Sequence, residues 1–95
     1  MKLIVSQAAQ SDLARLHAFL ADNNPRAADR AVAALIAGLE SLENFPERGR
    51  PSGTANVREL IVRFGRSGYV IRYAYRAETD EVVVIRIWHG REARE

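Results

Sequence analysis

The chain has 95 residues, 47% of them hydrophobic, which predicts one domain over residues 1–95 with no room for a second core. It contains no cysteine, and this excludes disulfides, zinc–thiolate sites and thiol nucleophiles together. The formal net charge is only +2, yet residues 58–76 hold five arginines against the single acid Glu59, so any pull on an acidic peptide or a phosphate backbone is concentrated there.

Lys2 to Val5 reads as a short opening strand, far too brief for a signal peptide. No run approaches the roughly 20 apolar residues of a membrane helix, so the expectation is a cytoplasmic protein with no membrane partner. Ser6 is placed to cap a helix over Gln7 to about Asn23, whose stripe is Ala9, Leu13, Leu16 and Leu20, flanked by His17 and Phe19. Asn24-Pro25 starts a second helix, proline being harmless at a first helical position. Its stripe is Ala28, Val32, Leu35, Leu39 and Leu42, widened by Ile36, with Asp29 expected in the first turn and Gly38 either weakening the helix or permitting close packing. The short connection makes the two helices an antiparallel hairpin.

The segment Phe45 to Gly53 is dense in turn residues and ends the helical half. Strands follow over Val57–Phe64, Tyr69–Arg76 and Val82–Trp88, separated by Gly65 to Gly68 and by Ala77 to Glu81. They form an antiparallel meander whose edge the opening strand joins, giving an α+β fold of order β-α-α-β-β-β with a helical hairpin packed on a small antiparallel sheet. If Arg76 faces Val82, then Tyr75, Tyr73 and Ile71 face Val83, Ile85 and Ile87, and those six side chains make one face for the helices to cover. The same register sets Arg72 opposite Arg86 on the other face, beside Val70, Ala74, Val84 and an exposed Trp88. Like charges in that position repel by roughly 0.2–1 kcal/mol, which a neighbouring carboxylate such as Glu59, solvent or a bound anion would offset. An apolar patch beside paired arginines suits a partner protein.

His89 follows the last strand. Beside arginines it has the chemistry of a general base in RNA cleavage, and it equally suits a structural or binding role. His17 is the only other imidazole, so no metal site is expected, and no motif for a nucleotide or other cofactor is present.

The helical hairpin, Phe45-Pro46-Glu47-Arg48-Gly49, Gly68-Tyr69-Val70-Ile71-Arg72-Tyr73 and Val83-Val84-Ile85-Arg86-Ile87-Trp88-His89-Gly90-Arg91-Glu92, in that order, resemble the RelE/ParE toxin superfamily over nearly the whole chain. The resemblance implies a toxin of a type II toxin–antitoxin system, neutralised by a cognate ParD-like or similar antitoxin whose C-terminal segment wraps it. Operon repression then runs through the antitoxin, with no sequence-specific DNA binding by this chain. ParE-like members, the plasmid-stabilization type, arrest growth by poisoning DNA gyrase without chemistry of their own. RelE-like members cut messenger RNA on the ribosome. Val70 stands where RelE-like sequences carry arginine after Gly-Tyr, and no basic, tyrosine-containing tail follows the last strand, so the resemblance is closer to ParE-like toxins. The alternatives are a RelE-like endoribonuclease, with Arg72, Arg86, His89 and Arg91 as a rearranged site, and a binding module of the same fold without toxicity. Arg63, Arg72, Arg86, Trp88, His89, Arg91 and Arg94 are the expected antitoxin or target contacts.

Overall fold

The structure, a computed structural model, describes residues 1–92. Ser6 takes an extended backbone and its hydroxyl accepts the Ala9 N–H at 3.0 Å, which starts α1 at Gln7–Ala21. Asn24 does the same for Ala27 at 3.1 Å and opens α2 at Pro25–Ser41. Asp29 lies just beyond the first turn of α2, where its carboxylate meets the His17 ring across the hairpin at 2.8 Å. It ties the two helices together more than it answers the helix dipole.

Five strands form one sheet of order β1-β5-β4-β3-β2: β1 (Lys2–Val5), β2 (Arg50–Pro51), β3 (Val57–Phe64), β4 (Ser67–Arg76) and β5 (Glu81–His89). The α+β class and the element order are as expected, with two refinements. β1 runs parallel to β5, which makes the sheet mixed, and the turn-rich segment contributes the two-residue β2. The β3–β4 turn shrinks to Gly65-Arg66, with Gly65 at φ +60°, a backbone that favours glycine at the first position of a two-residue hairpin turn.

The β4–β5 register departs from the expectation and then rejoins it. The loop is one residue shorter than predicted, so Arg76 faces Glu81, Tyr75 faces Val82 and Tyr73 faces Val84. A bulge at Ile85, the extra residue between Val84 and Arg86, then shifts the pairing by one. Beyond it Arg72 faces Arg86 and Ile71 faces Ile87, as predicted. The correction therefore falls on the first half of β5, where Val82 and Val84, not Val83 and Ile85, enter the core.

That core joins Ala9 and Leu16 of α1, Leu35 and Leu39 of α2, and Leu42 to Leu60, Tyr69, Ile71, Tyr73, Val82, Val84 and Ile87 of the sheet. Gly38 allows α2 to come down on β3: a Cβ there would lie 2.8 Å from the Val62 methyl. Tyr73 is fully buried, yet its hydroxyl donates to the Pro46 carbonyl at 2.7 Å and accepts the Gly49 N–H at 2.9 Å, which anchors the segment after α2. Burial raises the pKa of this phenol.

Alanine at position 38 would gain about 1 kcal/mol of helix propensity but lose roughly 1–3 kcal/mol to overpacking against the stiff Val62 side chain. Gly38→Ala is therefore expected to lower the denaturation midpoint in the native background. In a Val62→Ala background the same change should be neutral or stabilising, which a denaturant double-mutant cycle checks.

Candidate partner-binding site

The arginines of the sheet fall into two groups according to whether the fold supplies a carboxylate. β1 pairs with β5 only as far as Val84, so the outer edge of β5 beyond that point has no strand. Side chains of α1 and its cap take that place. The Ser6 hydroxyl donates to the Ile85 carbonyl at 2.9 Å, Asp12 accepts the Ile87 N–H at 2.8 Å, and Arg15 donates to the Ile87 carbonyl at 3.3 Å. Asp12, only 3% exposed, also receives Nε and Nη2 of Arg86 at 2.8 and 3.0 Å and Nη2 of Arg15 at 3.4 Å. Burial alone would raise the Asp12 pKa; the hydrogen bonds from Arg86, Ile87 and Arg15 and the Arg86 charge outweigh it and hold the carboxyl below its ordinary range. Arg86 is correspondingly held more firmly in its charged form by Asp12.

Arg72 is neutralised separately. Its Nε and Nη2 both donate to Glu59 Oε2, at 3.1 and 2.8 Å, and Arg50 approaches the other oxygen of Glu59 at 3.7 Å. The guanidinium of Arg72 lies 4.8 Å from the centre of the Trp88 ring. Arg72 and Arg86 thus stand opposite each other as predicted, but neither is an unpaired cation waiting for an anion. The expectation of an exposed Trp88 and Val84 is also corrected. Trp88 is 7% exposed beneath Arg72, and the bulge sends Val84 into the core.

His89 is separated from this pair. Alternation along β5 places it on the helix side, opposite Tyr69, with the two rings edge-on at 5.2 Å. Its Nδ1 accepts the Arg91 N–H at 3.1 Å, its backbone N–H donates to Glu92 at 2.7 Å, and Glu92 also pairs with Arg15. Burial raises the Tyr69 pKa. The four residues of the rearranged nuclease site are therefore not gathered: Arg72 and Trp88 occupy the face away from the helices, Arg86 turns to the α1 edge, and His89 and Arg91 lie at the helix side of the sheet end. Arg63 is exposed on β3, and Arg94 lies outside the described residues.

Between α1 and the sheet end a cleft of about 590 Å³ is lined by Arg15, Leu16, Phe19, Leu20, Ser67, Tyr69, His89, Arg91 and Glu92. Phe19 stands 70% exposed, and Ile36 on α2 and Phe45 beyond it are exposed as well. The stripes mark Phe19 only as a flanking residue, and Asp12 passes unnoticed among the apolar positions. An acid set between Ala9 and Leu16 on one helical stripe was the available signal. Among the described residues no group of three or more His, Asp or Glu side chains is arranged to hold a metal ion, and no helix is long and apolar enough to cross a membrane.

Comparison with known proteins matches this architecture to one family. The family model described as ParE toxin of the type II toxin–antitoxin system, parDE, matches residues 3–94. The chain belongs to this family. It is 46% identical over 92 residues to Toxin RelE1 of Caulobacter vibrioides, covering 97% of this chain and 96% of that protein. It is 41% identical over 86 residues to Toxin RelE3 of the same organism, covering 90% of each. A solved chain of the chromosomal ParDE system of P. aeruginosa shares the fold, with a TM-score of 0.79 at 23% identity over 94% of this chain and 95% of that one. The protein is thus a toxin of the RelE/ParE superfamily, and its membership of a type II system implies a cognate antitoxin.

The pKa of Asp12 is lower folded than unfolded, so its contribution is full above roughly pH 4 and is lost as the pH falls through the folded value. Asp12→Asn is expected to cost roughly 1.5–3 kcal/mol at neutral pH, the range for hydrogen bonds to charged groups. The gap between wild type and variant should close in acid, as followed by urea unfolding across pH. A gap that persists unchanged at low pH would show that the carboxylate charge is not what stabilises the edge.

Proposed function

We propose that this chain is a ParE-like toxin that binds DNA gyrase in the cytoplasm and does no chemistry of its own. The observation that supports this reading is the dispersal of the reactive groups. His89 has Nδ1 engaged and lies across the sheet from Arg72, with Arg91 alone of the three arginines beside it; Arg72 and Arg86 are bound to internal carboxylates, and burial raises the pKa of the Tyr69 and Tyr73 phenols. A ribonuclease needs a free base and a free cation converging on one phosphate. The RelE names of the Caulobacter relatives favour the ribosomal alternative, and one comparison separates the two. Purified chain should inhibit supercoiling by gyrase and leave ribosome-bound message intact. Cuts in the ribosomal A site that vanish with His89→Ala would decide for the nuclease, and growth unaffected by expression would decide for a binding module without toxicity.

The antitoxin, a ParD-like partner in this reading, covers the helical hairpin together with the Arg72–Trp88 face. Phe19 and Ile36 supply exposed apolar anchors of the kind that dominate interfaces. Phe19→Asp is expected to weaken binding by the cognate antitoxin roughly 30-fold, equivalent to about 2 kcal/mol for a hot-spot residue, measured by calorimetry. Arg86 is unsuited to such a test, because a charge reversal there would face Asp12.

A further inference from the structure

The fold neutralises the arginines in the middle of the sheet and leaves a group at one end without counter-charge. Arg72 has Glu59, Arg86 has Asp12, and Arg15 has Asp12 and Glu92. Arg63 near the end of β3, Arg66 in the Gly65-Arg66 turn and Arg91 in the turn after β5 are all exposed, and none makes an ion pair among the described residues. Three separate segments bring them to the same end of the sheet, Arg63 on the Arg72 face, Arg91 on the helix side and Arg66 in the turn at the rim. Arg63 faces Gly68 across the β3–β4 ladder, Tyr69 faces His89 on β5, and the Gly90 N–H bonds the Gly68 carbonyl at 2.7 Å. The backbone under each is fixed as well: Phe64 and Ser67 close the hairpin beneath Arg66, and His89 Nδ1 holds the Arg91 N–H. Close approach of a Cβ at Gly90 to the Gly68 carbonyl, 3.1 Å, shows how tightly this corner is drawn together.

We infer that this end of the sheet, with Arg63, Arg66 and Arg91, binds the phosphodiester backbone of duplex DNA without reading its sequence. Three unneutralised guanidinium groups on pinned backbone suit phosphate oxygens, which arginine recognises by charge and by paired N–H donors. A protein partner would seek an apolar anchor within the patch. Of the exposed large apolar side chains, Phe19 shares the cleft with Arg91 on the helix side, Ile36 and Phe45 lie on α2 and the segment after it, and none lies on the β3–β4 hairpin that carries Arg63 and Arg66. A single strand would seek fully exposed rings on which to stack, whereas at this end Phe64 is partly buried against the core and Tyr69 and Trp88 are buried. The inference goes beyond the target assignment: it concerns DNA directly and holds or fails without gyrase or ribosome in the assay.

The test is fluorescence anisotropy of the full chain with a short duplex of random sequence, titrated with salt. Three neutralised phosphates predict a slope of log affinity against log salt of about −2.7, or roughly 500-fold weaker binding for a tenfold rise in salt. Arg63→Gln, Arg66→Gln and Arg91→Gln should each reduce the magnitude of the slope by about 0.9, and the triple variant should lose at least about tenfold in affinity at low salt. Arg76→Gln, exposed at the opposite end of β4, should leave the slope unchanged. Single-variant slopes keep the inference testable if the triple variant does not fold. Slopes indifferent to all three arginines would overturn it, as would a single-stranded RNA or a glutamate-rich peptide of equal charge that competes better than the duplex.

Discussion

The structure depends on one buried carboxylate. Asp12 stands at the point where β1 has left the sheet and the β5 edge would otherwise expose its amides. A buried carboxylate is costly unless its oxygens are fully engaged. Here it receives a backbone amide and two guanidinium groups, and the geometry that satisfies it also fixes α1 along β5. Ser6 and Arg15 complete the arrangement by satisfying the carbonyls on either side. A helix thereby does what a longer edge strand would have done, and the cleft beside Phe19 exists because α1 is held in that position.

Arg86 shows the consequence for function. A strand arginine facing another arginine invites interpretation as an anion site. Once Asp12 and Glu59 are in place, the two cations are structural, and the charge available for partners lies elsewhere. Internal neutralisation sorts the basic residues into those paired within the fold and those left without a carboxylate, a distinction that net charge cannot express. The same sorting leaves His89 on the wrong side of the sheet to share a phosphate with Arg72.

Much of the fold was legible because the local signals agreed. Ser6 and Asn24-Pro25 mark both helix starts, and the two stripes select the faces that are buried. The β4–β5 pairing is instructive because two departures cancel. The loop is one residue shorter than the sequence suggests, and the bulge at Ile85 returns that residue, so Arg72 meets Arg86 although the first half of the hairpin is displaced. Periodicity cannot reveal a bulge, since a run of valine and isoleucine is apolar in either register. The role of Asp12 was hidden for a different reason: its donors on β5 lie 74 and 75 residues away in sequence. The depth of Trp88 was hidden because a guanidinium, counted as polar, serves as its cover.

That cover gives the molecule an internal optical probe. Trp88 is the single tryptophan of the chain, and a positive charge lies over its ring. Emission from an indole responds to nearby charge and to the entry of water. Any event that draws Arg72 away from Glu59, or that replaces its guanidinium with another group, changes the surroundings of this one chromophore. Occupation of that face of the sheet is thus written into the fluorescence of the unlabelled protein.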